Sequence, residues 1–145
     1  MATLAESGEL IIAESEQVIV GAVAYIGPGK PKNSFFETEW SIMRMLVVSP
    51  VARGFGIGHR LAEECLNRAR RDGGAVFALH TTRIMKIALA MYERMGFKLL
   101  RDAPPIFGVP YCVYIKLVSI SSGLARNRQL ASCAPLGHCC AAYSE

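Results

Sequence analysis

No stretch of the 145-residue chain stays apolar for the ~20 residues that a membrane-spanning helix needs, so no membrane partner is expected. The opening MATLAESGELII carries two glutamates and no basic n-region, so a signal peptide is not expected and the cytoplasm is the expected compartment. Charge is sparse as well: 19% of residues are charged, and a net +4 is too thin for the dense basic stripe of a nucleic-acid-binding surface. That excess can still favour an anionic ligand. Zinc spacing is missing too. Cys133, Cys139 and Cys140 cluster with His138, but adjacent cysteines without a second pair do not make the usual zinc arrangement, and no metal is expected. Five cysteines, an odd number without a secretion signal, favour reduced thiols over a disulfide framework, with Cys65 and Cys112 as small core residues.

What is there suits one globular domain, since 52% of the residues are hydrophobic and the length allows a real core. Leu10–Ala13 and Val18–Ile26 are β-rich runs around the polar Glu14–Gln17, a strand hairpin. After the loop GPGKPKN, Trp40–Val48 is apolar on both faces, the pattern of a central strand, and Pro50 ends it. From Ile57 to Ala69 apolar residues recur at helical spacing opposite Arg60, Glu63, Glu64 and Arg68. Ala75–Leu79 is a short strand. A second helix carries Ile84, Ile87, Ala88, Met91 and Met95 and stops at Gly96 as a C-terminal cap, with Phe97 folding back. Lys98–Arg101 and Tyr111–Val118 predict two final strands joined by the proline-rich loop DAPPIFGVP. The alternation implies an α/β (α+β) fold, a mixed sheet with helices packed on it. Residues 1–118 form this domain; residues 119–145 hold no sustained period and are expected as a tail with one helical turn near Ala125–Leu130.

The most telling stretch is VVSPVARGFGIGHRL, where Gly54, Gly56 and Gly58 follow Arg53 and lead into a helix. Glycine weakens helices, so its repetition here needs a reason. A helix N-terminus presents unpaired N–H groups at the positive end of its dipole, a ready site for phosphate. Glycines let a pyrophosphate approach those groups, and Arg53 adds a permanent charge. The competing reading is a glycine turn needed only for chain geometry. Other phosphate loops do not fit: no lysine followed by Ser or Thr closes the run, and G-x-G-x-G departs from the dinucleotide spacing G-x-G-x-x-G.

SPVARGFGIGHRLAEECL resembles the acetyl-CoA signature of the GCN5-related N-acetyltransferases (GNAT), with Arg53, Gly56 and Gly58 at its matching positions. IALAMYERMGF resembles the same family's helix that places a tyrosine near the cofactor sulfur, with Tyr92, Gly96 and Phe97 at the recurrent positions. The resemblance runs from about Leu10 to Val118 and implies a GNAT-like, mostly antiparallel sheet flanked by helices. It also implies that the backbone of Leu46, Val47 and Val48 pairs with the pantetheine arm at the splayed end of a strand. Gly54, Phe55, Gly56, Ile57, Gly58 and His59 would hold the pyrophosphate. Tyr92 would give a proton to the departing thiolate, as a phenol that stays protonated at neutral pH. Its competing reading is an aromatic packed on the sheet. The implied reaction is direct transfer of the acetyl group from acetyl-CoA to a primary amine, small-molecule or protein, through a tetrahedral intermediate, aided by a polarising N–H near Val48. For the base the candidates are Glu37, Glu39, His80 or a water chain, and Glu39 beside Trp40 is also placed to bind a cationic acceptor.

Two departures stand out. Met85 occupies the position where many members have an asparagine at the start of the tyrosine helix. Set against that family, the chain is also expected to lack the usual N-terminal strand and helices, which the resemblance implies would form much of the acceptor pocket. A partner chain, with a homodimer through exposed strand edges, or the tail would then complete it. The alternative is a non-catalytic acyl-CoA-binding module.

Overall fold

The computed structural model describes residues 8–118, which form six strands and two α-helices. The strands are β1 (Glu9–Ser15), β2 (Val18–Ile26), β3 (Ser41–Val48), β4 (Val76–Thr81), β5 (Lys98–Ile106) and β6 (Val109–Leu117). The helices are α1 (Ile57–Arg71) and α2 (Lys86–Arg94), with a 3-10 turn at Pro50–Ala52. The sheet order is β1-β2-β3-β4-β6-β5, and only β3 and β4 run parallel. No helix among the described residues is long and apolar enough to cross a membrane.

Local chemistry explains the elements. Glu16 and Gln17 both take positive φ, and so do Phe107 and Gly108, so each hairpin closes on a two-residue turn whose twist suits the strands. α1 buries Leu61, Ala62, Cys65, Leu66 and Ala69 on one stripe against β1, β2 and β3. Each leucine so buried contributes roughly 1.5–3 kcal/mol. Both helices end in the same way. For α2, the Gly96 N–H donates to the Glu93 carbonyl at 3.0 Å and the Phe97 N–H to the Tyr92 carbonyl at 3.0 Å, with Gly96 at φ 91°. This double bond satisfies carbonyls left orphaned at the helix end.

The two faces of the sheet differ. The helical face carries a continuous core that includes Val23, Met43, Phe77, Leu79 and Tyr114 with α1 and α2 above them. Among the described residues the opposite face is covered by the 27–40 segment, whose Phe35, Phe36 and Trp40 pack over Ile42, Ala78 and Val113. β1 leaves Leu10 and Ile12 exposed.

Two expectations are corrected. DAPPIFGVP is not a loop: β5 continues through Pro104 and Pro105 and turns at Phe107–Gly108 into β6. β5 is the edge strand, where a missing N–H costs no ladder bond, and the register shift between Ala103 and Ile106 accommodates the pair. Cys65 is a free buried thiol, whereas Cys112 is disulfide-bonded, against the expectation of reduced thiols. The Cys133, His138, Cys139 and Cys140 cluster and the helical turn at 125–130 lie outside the described residues.

Candidate active site

The site begins with a defect in strand pairing. Between Ala22 and Ala24 of β2 the register with β3 shifts, because β3 spends one extra residue between Val47 and Arg44, and Met45 takes φ 56° there. A bulge of this kind bends its strand. β3 pairs with β4 only at Ser41↔Phe77 and Ile42↔Ala78, so beyond those positions the two parallel strands part. The Ser49 N–H donates to the Val20 carbonyl at 2.8 Å, so by antiparallel alternation Val47 turns its groups to Ala22 of β2. Those of Val48 point to the side that β4 has left.

At the end of β3 the chain turns through Pro50–Ala52 into α1. Gly54 has φ 83° and Gly56, the residue before α1, φ 77°, backbone states that side chains disfavour. A Cβ added at either would meet no protein atom within 4 Å. Their absent side chains thus leave open space and not a packing contact. The first bond into the helix runs from the Arg60 N–H to the Gly56 carbonyl, so the N–H groups of Ile57, Gly58 and His59 have no intrahelical acceptor. No acidic residue stands in this first turn. A cavity of about 330 Å³ opens here, with Val48, Arg53, Gly54, Gly56, Gly58 and His59 in its wall and α2 on its far side. Phosphate groups fit such a concave, uncapped and positively polarised site.

A second cavity, about 260 Å³, occupies the splay itself, and Leu46 lines both. Tyr92 reaches it from α2 on the helical face. The ring is 1% exposed and stands edge-on to Phe97 at 5.9 Å, so the α2 cap that sets Phe97 also fixes the tyrosine. His80 lines the cavity from the opposite face, since Leu79 beside it belongs to the helical core and strand side chains alternate. There it contacts Phe35 at 5.1 Å, Phe36 at 5.8 Å and Tyr111 at 5.1 Å between ring centres. Burial, reinforced by the nearby Arg44 charge, pushes the His80 imidazole down to about 4. The ring is therefore neutral at physiological pH.

Most residues expected from the sequence meet here. Leu46, Val48, Arg53, Gly54, Gly56, Ile57, Gly58 and His59 line the glycine-walled cavity. Tyr92 and His80 share the second one. Glu39 does not join them: it is exposed in the turn before β3, at the end of the strand remote from the splay. Glu37 pairs with Arg101 at 3.2 Å, and Arg101 also lies 5.5 Å over the Trp40 ring, which occupies the cation-binding face expected beside Glu39. Phe55 is 77% exposed and, like Val47, lines neither cavity. Sequence reasoning missed Arg44 and Tyr111, both in the wall of the splay. Arg44 was legible as a lone charge inside an apolar strand; Tyr111 carries no comparable signal.

No curated protein sequence matches the chain significantly. Residues 2–97 match the model of the Acetyltransferase (GNAT) family, a span that includes both cavity-forming helices. The chain belongs to the GNAT acetyltransferase family. Solved structures show the same fold. A GNAT-family protein from Desulfovibrio desulfuricans superposes with a TM-score of 0.65 at 21% identity, over 79% of this chain and 71% of that one. A protein from Salmonella typhimurium, solved with its cofactor acetyl-CoA, gives 0.63 at 17% identity, over 83% and 70%. A GNAT family acetyltransferase from Elizabethkingia anophelis with acetyl-CoA bound gives 0.62 at 18% identity, over 77% and 76%. The GNAT sheet, mostly antiparallel, is thus the fold of this chain, and the match carries into the β5–β6 hairpin beyond residue 97.

Proposed function

We propose that this GNAT protein transfers an acetyl group from acetyl-CoA to a primary amine by direct attack. The observation that carries the reading is that the glycine-walled cavity and the splay that holds Tyr92 lie side by side, with Leu46 in the wall of both. The N–H groups of Ile57, Gly58 and His59, with Arg53, would hold the pyrophosphate, and the outward backbone of Val48 would hold the pantetheine arm as an added strand. Bound acetyl-CoA supplies an activated thioester. The amine nitrogen forms the new bond to the acetyl carbon as the carbon–sulfur bond breaks.

The protein's own residues then manage two protons. The Tyr92 phenol stands on the helical side of the splay and serves as donor to the sulfur that leaves. His80 stands on the other side as a neutral imidazole with a lone pair for the amine's proton. The burial that keeps the ring neutral also makes it a weak base, so His80 would relay that proton to solvent and not hold it. The Val48 N–H would polarise the acetyl carbonyl. A homodimer remains part of the proposal, since β1 is an edge strand that bears exposed Leu10 and Ile12.

The test is coenzyme A release from acetyl-CoA with a panel of primary amines. Amine-dependent release is expected. Acetyl-CoA binding with no release for any amine would leave an acyl-CoA-binding module.

A further inference from the structure

The acceptor side of the splay carries a charge that no carboxylate among the described residues pairs. Ile42 and Ala78 are the last paired positions of β3 and β4, and Arg44 and His80 each lie two residues beyond them. Strand alternation therefore sets Arg44 and His80 on the same face, away from the helices and across the mouth of the splay from one another. Both line its cavity. Arg44 is half-buried, and among the described residues it makes no ion pair or hydrogen bond. Among the described residues no carboxylate lines the cavity, whose other walls there are Tyr111, Ile106 and Met45. Nearby, Glu37 is already engaged with Arg101.

The phosphates of the proposed acetyl-CoA site do not reach this charge. Their cradle lies at the N-terminus of α1, on the helical face, and Arg44 is not in its wall. A guanidinium removed from water without a partner is costly, and its planar fork matches a carboxylate in two parallel bonds. The same charge repels a second ammonium. At about 260 Å³ the cavity is smaller than typical drug-sized sites of roughly 300–1,000 Å³.

We propose that Arg44 selects the acceptor, and that the acceptor is a small amine bearing a carboxylate, of the amino-acid class, with its carboxylate on Arg44 and its nitrogen towards His80. Polyamines and other polycations are excluded by the same residue. This rests on the acetyl-transfer reading for its role but has a test of its own. The protein preloaded with coenzyme A is titrated by calorimetry with the standard L-amino acids, with the amide of each, and with putrescine. At least one amino acid should bind about ten-fold to a hundred-fold more tightly than its amide, the usual range for a hydrogen-bonded charge. Arg44→Gln should erase that difference and Arg44→Lys should keep part of it. Equal binding of acid and amide, binding of putrescine alone, binding of none, or a difference that survives in a folded Arg44→Gln variant would overturn the proposal. Carboxylate selectivity in a protein that acetylates no amine would leave it standing and remove the transfer reading instead.

Discussion

Replacing Tyr92 with phenylalanine takes one oxygen from a ring held by Phe97 and the α2 cap, so the ring should keep its place and the glycine-walled cavity, which Tyr92 does not line, its shape. Acetyl-CoA affinity by calorimetry should therefore match the parent while turnover falls roughly a hundred-fold or more. Unchanged turnover would remove the phenol as proton donor. His80 gives a second expectation, read in stability. Its folded-state pKa of about 4 lies below the ordinary 6.5, so the unfolded chain takes up a proton first as pH falls. Stability should drop between pH 6.5 and 4 by up to about 3 kcal/mol, and be insensitive to this group above 6.5. Denaturation of His80→Phe across that window should show a flatter profile; an identical slope would contradict the assignment. Glu9 and Asp72 are held low by Arg71 and lose their contribution at still lower pH. Tyr92 was legible in the sequence because a cap glycine and a phenylalanine fix its place on the helix. Glu39 was not, since an exposed acid beside a strand says nothing about which end of that strand faces the site.

Helix ends and turns carry the next consequences. Gly96 combines φ 91° with a Lys116 Nζ that a Cβ would meet at 2.9 Å. Lys116 can swing away only by giving up its 2.6 Å hydrogen bond to the Met95 carbonyl, so Gly96→Ala should cost the left-handed backbone term of about 1–2 kcal/mol plus that lost bond in chemical denaturation, and should lower turnover through the displaced Tyr92. A stable variant with parental turnover would show that the cap does not position the tyrosine. Gly56→Glu behaves differently. Open space surrounds position 56, so the protein should still fold, at some cost from its positive φ, yet a carboxylate at the head of α1 should abolish acetyl-CoA binding. Helices and central strands were readable from period and punctuation. β5 was not: two adjacent prolines signal a loop unless the strand is known to lie at an edge, and sheet order is a property of the whole sheet.

Across the whole molecule, the functional geometry depends on a long-range event, the parting of β3 from β4, which no local pattern encodes. The bulge sits at Met45, an ordinary residue in an apolar run, and only the registers with β2 and β4 reveal it. The resemblance in the two glycine motifs supplied that feature in advance, whereas the face on which Arg44 emerges required the structure. The proposed transfer stands or falls with α1's uncapped, glycine-walled N-terminus as a phosphate site for acetyl-CoA. The most direct test is a calorimetric titration of the protein and of Gly56→Glu with acetyl-CoA, with thermal melting alongside, because a ligand of the native state raises stability by mass action. Saturable binding with a raised melting temperature in the parent, and neither in the folded variant, is the predicted result. A folded parent that takes up no acetyl-CoA, or a variant that binds as tightly as the parent, would contradict it.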